Sequence, residues 1–100
     1  MSLRRKGGTV YILATPGRKV LYTGVTSDIV TRLWKHQNKV HPNSFTAKYG
    51  CCVLVYYRNF ENIADAIAEE KRVKAGSRKA KEQLIESINY NWQDLSCHFA

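Results

Sequence analysis

The stretch VYILATPGRKVLYTG, residues 10–24, decides the fold. Two runs rich in Val, Ile, Leu and Tyr flank a Pro-Gly pair, and such residues suit a pleated, half-buried strand. Pro16 fixes one φ and Gly17 supplies turn freedom, so TVYILA and KVLYTGV read as the two arms of a hairpin joined by TPGR. Each arm carries one tyrosine, Tyr11 and Tyr22, and Gly24 follows the second two residues on. Packing accounts for either tyrosine alone; the pair on adjacent arms poses a question about function.

Downstream of the hairpin, Ser27 or Asp28 can cap a helix through IVTRLWKHQN. At 100° per residue Ile29, Val30, Leu33 and Trp34 form an apolar arc, with Arg32 and His36 side by side at its edge, where helix meets sheet. A polar loop, NKVHPNSFTAKYG, leads to CVLVYY, whose near-continuous apolar character predicts a buried central strand. Asn62 is placed to cap a second helix through IADAIAEEKRVKA, with Gly76 as its stop. Ser77 opens a third, RKAKEQLIESI, with Ala80, Leu84, Ile85 and Ile88 on its core face. This order predicts an α+β domain with a small, mostly antiparallel three-stranded sheet flanked by helices.

Composition bounds the function. The 100 residues hold 16 Lys and Arg against 8 Asp and Glu, a net charge of +8. In so small a domain this excess points to a polyanionic partner. The run KRVKAGSRKAK, residues 71–81, contains six cations and no acid. No apolar run is long enough to span a bilayer, and MSLRRKGG leads into a strand pattern, so the expected location is cytoplasmic. The three cysteines, at 51, 52 and 97, form neither a disulfide framework nor a CxxC zinc pattern. We divide the chain into a basic segment at 1–8, one domain at 9–96 and a tail at 97–100.

One residue breaks the pattern of the second helix. Ile63, Ala66, Ile67 and Val73 define its apolar stripe, and helical arithmetic puts Glu70 inside it while Glu69 points away. A carboxylate on a buried stripe costs several kcal/mol unless it is paired, protonated or bound to a metal. The alternatives are a salt bridge to a nearby Arg or Lys, and one ligand to Mg²⁺, which takes one or two carboxylates and completes its octahedron with water and phosphate.

VYI at 10–12, YTG at 22–24, RLWKH at 32–36 and Glu70 in EEKRVK together resemble the ordered motifs of the GIY-YIG endonuclease superfamily. FTAKYG and NWQDLS are similar to segments of its small, single-domain bacterial branch, so the resemblance spans about residues 8–96. The first motif reads Val-Tyr-Ile rather than Gly-Ile-Tyr, and Thr23 holds the middle position of the second, but both tyrosines are kept. An assisting asparagine found in some members has no firm counterpart, Asn89 being a weak candidate.

The resemblance implies a metal-dependent endonuclease that hydrolyses DNA phosphodiesters, in repair, recombination or processing of damaged or branched strands. It implies that Tyr11, Tyr22, Arg32, His36 and Glu70 line one cleft. Glu70 would hold one Mg²⁺ or Mn²⁺ and Arg32 a phosphate oxygen. Tyr11 would act as general base or pass the water's proton onward, with Tyr22 and His36 positioning water. A free tyrosine has a pKa near 10, so base action near neutrality requires cations that favour the phenolate.

Lys35, Lys39, Lys48, Tyr49, Lys71, Lys74, Arg78, Lys79 and Lys81 are the expected nucleic-acid contacts, giving salt-dependent affinity with little base specificity. Phe45 and Tyr49 are the expected stacking residues, Trp34 and Trp92 are assigned to the core, and His41 and His98 to the surface. A partner protein would supply further specificity. The competing readings are an inactive DNA- or RNA-binding module and a protein-interaction subunit.

Overall fold

A computed structural model describes residues 7–38 and 48–99. Strands β1 (Gly8–Ala14) and β2 (Leu21–Thr26) are followed by helix α1 (Ile29–Gln37), strand β3 (Val53–Phe60), helices α2 (Ile63–Ala75) and α3 (Arg78–Ile88), and a 3₁₀ helix (Leu95–Phe99). The sheet order is β2-β1-β3 and both pairings are antiparallel. This is the expected α+β architecture.

The hairpin forms as the sequence predicts, with one change in its turn. The left-handed conformation falls on Arg18, φ 60°, and not on Gly17. That backbone costs a non-glycine residue about 1–2 kcal/mol. Two hydrogen bonds from the Arg18 guanidinium to the Trp92 carbonyl, at 2.9 and 3.2 Å, offset it and tie the turn to the chain's end.

The central strand is β1 and not β3. All seven residues of β1 are buried, whereas β3 is buried over Val53–Tyr56 and exposed at Arg58 and Asn59. Helices cover one end of β3 on both faces, which is why its first half reads as a central strand. Its register slips between Ile12 and Leu13: Ile12 pairs with Tyr56 and Leu13 with Leu54, leaving Val55 as the extra residue of a bulge. Side chains from the segment after α3 satisfy the backbone there. Asn89 Nδ2 donates to the Val55 carbonyl (2.9 Å) and Asp94 Oδ1 accepts from Leu54 N–H (3.2 Å). Asn89 is buried and also bonds Gln93 through both its amide nitrogen and its oxygen, so its role is architectural.

Caps start all three helices: Asp28 accepts from Thr31 N–H, Asn62 from Ala64 N–H and Ser77 from Ala80 N–H. Their buried faces are narrower than the apolar patterns suggest. On α1 only Ile29 and Leu33 are buried, while Val30 and Trp34, a further 100° round, are 54% and 58% exposed. Trp34 is therefore not a core residue. On α2, Ala66 and Val73 are buried and Ile67 is exposed; on α3, Ile85 is buried, Leu84 is half-buried, and Ala80 and Ile88 are exposed. A three-stranded sheet offers each short helix only one line of contact. Trp92 does pack against the core, and its indole donates to Glu86 at 2.8 Å.

One core layer holds Ile12, Ala14, Val53, Val55, Val73 and Ile85 under α2 and α3. The other holds Tyr11, Leu13, Ile29, Leu33, Cys51 and Leu54, with Tyr22, Tyr57, Leu95 and Phe99 at its margin. Gly8 lets α2 approach β1, since a Cβ there would lie 2.5 Å from Ile63 Cδ1 and 2.8 Å from Ala66 Cβ. No helix among the described residues is long and apolar enough to cross a membrane.

Candidate active site

Antiparallel pairing places Tyr11 opposite Gly24 and Leu13 opposite Tyr22. With side chains alternating along each strand, Tyr11, Tyr22 and Gly24 share one sheet face. Gly24 is needed for its lack of a side chain. A Cβ there would stand 2.5 Å from Tyr11 Oη, 2.6 Å from its Cζ and 3.0 Å from Tyr22 Cε2. The Tyr11 phenol thus lies across the gap that Gly24 leaves, beside Tyr22 at a centroid separation of 6.3 Å.

His36, on the last turn of α1, completes a three-ring cluster. Its ring lies 5.9 Å from that of Tyr11 and 6.0 Å from that of Tyr22, and its Nε2 is 3.2 Å from Tyr11 Oη. Arg32, one turn earlier, reaches the same phenol through a hydrogen bond and its charge, and the Glu70 carboxylate acts on it electrostatically. Ring contacts thus bring Tyr11, Tyr22 and His36 together, and the Arg32 and Glu70 charges bear on the Tyr11 phenol.

The Tyr11 phenol is pushed up to about 12 from its ordinary 10.0. Burial is the first cause, and the neighbouring Tyr22 adds to it; Arg32 pulls the other way by charge and hydrogen bond, and Glu70 pushes up again. Tyr11 has no exposed surface, so its burial outweighs the single cation beside it. At neutral pH it holds its proton.

Glu70 is nearly covered, its side chain 12% exposed, and Lys74 Nζ lies 3.5 Å from its carboxylate. The salt bridge weighed from the sequence is thus present. Glu69 does not point away: its side chain is 13% exposed, hydrogen-bonded by Arg72 and within 3.9 Å of Arg58. Arg72's hydrogen bonds hold the Glu69 carboxyl below its usual range. Among the described residues no three His, Cys, Asp or Glu side chains converge as a metal cage. Cys51 is buried, Cys52 half-buried and Cys97 exposed. The Glu70 carboxylate offers hard oxygen donors, which suit an oxygen-seeking cation that takes its remaining ligands from water and phosphate.

The expected nucleic-acid contacts divide into two kinds. Lys35, Lys48, Lys71, Lys74 and Lys79 are exposed, as is Tyr49. Arg78 is tied to the hairpin turn through the Arg18 and Lys19 carbonyls and to Glu82, and Lys81 Nζ donates to the Gly76 and Lys74 carbonyls at the end of α2. Lys39, His41 and Phe45 lie outside the described residues. His98 is more than a surface residue: its Nδ1 is 2.9 Å from Tyr57 Oη, and Tyr57 sits directly across β1–β3 from Tyr11. Forty-one positions separate that pair, so no local pattern signals it.

The three-ring cluster lies within the stretch, residues 7–83, that matches the GIY-YIG catalytic domain model. The chain belongs to the GIY-YIG family. Its relatives include UPF0213 proteins of Clostridium perfringens, 39% identical over 78% of this chain and 82% of that protein, and of Serratia proteamaculans, 32% identical over 87% of each. A UPF0213 protein of Aeromonas salmonicida is 32% identical over 88% of this chain, which spans 62% of that relative's length. The solution NMR structure of a UPF0213 protein from Bacillus halodurans superposes with a TM-score of 0.57 at 31% identity, covering 88% of this chain and 92% of that one.

Proposed function

We propose that this chain is a divalent-metal-dependent endonuclease that hydrolyses phosphodiester bonds in DNA, acting on damaged or branched strands. The observation that carries this reading is the cluster of Tyr11, Tyr22 and His36, with the Arg32 and Glu70 charges bearing on the Tyr11 phenol. A phosphodiester needs a deprotonated nucleophile, neutralisation of charge on the pentavalent phosphorus, and help for the departing oxygen. Glu70 would hold one Mg²⁺ or Mn²⁺, which supplies charge neutralisation at the phosphate and leaving oxygen. Arg32 presents its fork to a non-bridging oxygen.

The raised Tyr11 pKa favours a relay over a resting phenolate. A phenol that keeps its proton cannot itself be the resting base, but it can relay. We assign His36 the tautomer with Nε2 unprotonated, so that it accepts the Tyr11 proton as Tyr11 takes one from the attacking water once substrate binding uncovers the phenol, which is buried in the free protein. The new P–O bond forms on the water oxygen, the P–O3′ bond breaks, and the departing O3′ takes a proton from solvent. Tyr22 fixes the water beside both rings. Lys35, Lys48, Lys71 and Lys79 bind flanking phosphates, and the +8 charge draws the strand in. Substrate choice beyond this falls to a partner protein, and the site of action is the cytoplasm.

The test is incubation with end-labelled single-stranded, duplex, flapped and four-way-junction DNA in Mg²⁺, Mn²⁺ or chelator, beside Glu70→Ala. Cleavage that needs metal and Glu70 is the expected result. Salt-sensitive binding without cleavage would favour the inactive binding module.

A further inference from the structure

The catalytic assignment uses one flank of α1. Val30, Trp34 and Gln37, spaced by four and three residues, occupy another flank, roughly opposite Arg32. Trp34 stands 58% exposed and Val30 54% exposed on the same nine-residue helix that carries Arg32 and His36. They border a groove of about 340 Å³ between α1 and the 3₁₀ helix. Leu33, only 5% exposed, lies at its base, and Gln37, Ser96, Cys97 and Phe99 complete the lining on both sides.

The second wall is held in place from the sheet. Tyr57 Oη meets His98 Nδ1 at 2.9 Å, and Phe99 packs edge-on against the Tyr57 ring at 4.8 Å. The groove is therefore preformed and does not depend on a ligand to assemble it.

We propose that this groove binds an unpaired nucleobase of the DNA strand being cut, stacked on Trp34; the proposal rests on the nuclease reading above. A nucleobase has apolar faces and a polar edge, and the groove offers an aromatic face with aliphatic neighbours and two polar side chains, Gln37 and Ser96. No carboxylate lines it. Lys35 is exposed next to Trp34 in the sequence, where a backbone phosphate would follow the base. A protein partner would also suit the apolar surface, but the +8 charge of the chain favours the polyanion. A base inside a duplex keeps its faces stacked and cannot enter, so the groove selects strands with unpaired nucleotides. Because Trp34 and Arg32 lie on opposite flanks of α1, a strand that engages both must pass round the helix, which places the base several nucleotides from the scissile phosphate.

The experiment is fluorescence anisotropy in chelator, so that binding is read apart from cleavage. Wild type, Trp34→Ala and Trp34→Phe are titrated onto a labelled single strand of about twelve nucleotides and onto a blunt-ended linear duplex with no unpaired base. Trp34→Ala should weaken the single strand by about five- to a hundred-fold, leave the duplex within about two-fold, and be largely rescued by Trp34→Phe. Its melting temperature should match the wild type, because the removed side chain is exposed. Equal losses on both ligands, or no loss on either, would overturn the groove assignment while leaving the nuclease reading to its own cleavage assay. A wild type that neither binds nor cuts any DNA would overturn both.

Discussion

Gly24→Ala tests whether the site is built around the contact between Tyr11 and the facing glycine. The added methyl would lie 2.5 Å from Tyr11 Oη and 2.6 Å from Cζ, well inside contact distance, and Tyr11 is fully buried. Overpacking of this kind costs about 1–3 kcal/mol. Replacing a strand glycine returns about 0.5–1 kcal/mol of backbone entropy. With contacts this short against a fully buried ring the overpacking cost falls in the upper half of its range, about 2–3 kcal/mol, so the net loss is about 1–2.5 kcal/mol, or about 4–20 °C in melting temperature for a domain of this size. Thermal unfolding followed by circular dichroism measures it, and the same variant should lose cleavage because the phenol can no longer sit 3.2 Å from His36 Nε2. The penalty belongs to one pair, so in a Tyr11→Leu background it should shrink by about 1 kcal/mol. A Gly24→Ala protein as stable as the wild type, or an undiminished penalty in that background, would refute the reasoning.

Other perturbations separate architecture from chemistry. Asn89→Ala strands the Val55 and Gln93 groups it bonds and should cost about 2–4 kcal/mol in urea unfolding, with cleavage per folded molecule unchanged; a catalytic loss without destabilisation would contradict this. Tyr11 has a folded pKa of about 12 against 10.0 unfolded, so its contribution is complete below pH 10 and lost as pH rises through 12, by up to roughly 3 kcal/mol. Tyr11→Phe should flatten that alkaline slope in pH-dependent melts. Glu69 is the opposite case: its depressed carboxyl stabilises above its unfolded value of 4.5 and the effect is lost as pH falls through the folded value. Glu69→Gln should therefore weaken the acid dependence of stability while Glu70→Gln removes cleavage.

Much of this architecture was legible because its signals are local. The Pro-Gly turn, the three caps and the spacing of Arg32 and His36 each depend on neighbours within a few residues. Strand order did not follow, since TVYILA and CVLVYY are equally apolar and only the tertiary pairing makes β1 central. Helical arithmetic placed Val30 and Trp34 beside Ile29 and Leu33 but could not say which half of that arc would meet a narrow sheet. The same limit applies to Glu69, whose burial depends on Arg58 from β3 as well as on its own helix. The function of Gly24 required the register, because its meaning lies in the residue opposite.

Cleavage of DNA in ¹⁸O-labelled water tests the central claim, that these five residues activate water against a phosphodiester. Mass spectrometry of the products should show one ¹⁸O on the phosphate released by P–O3′ scission, with formation slowed strongly by Tyr11→Phe, His36→Ala and Glu70→Gln. Unlabelled phosphate, or a covalent adduct between Tyr11 and the DNA, would contradict the account.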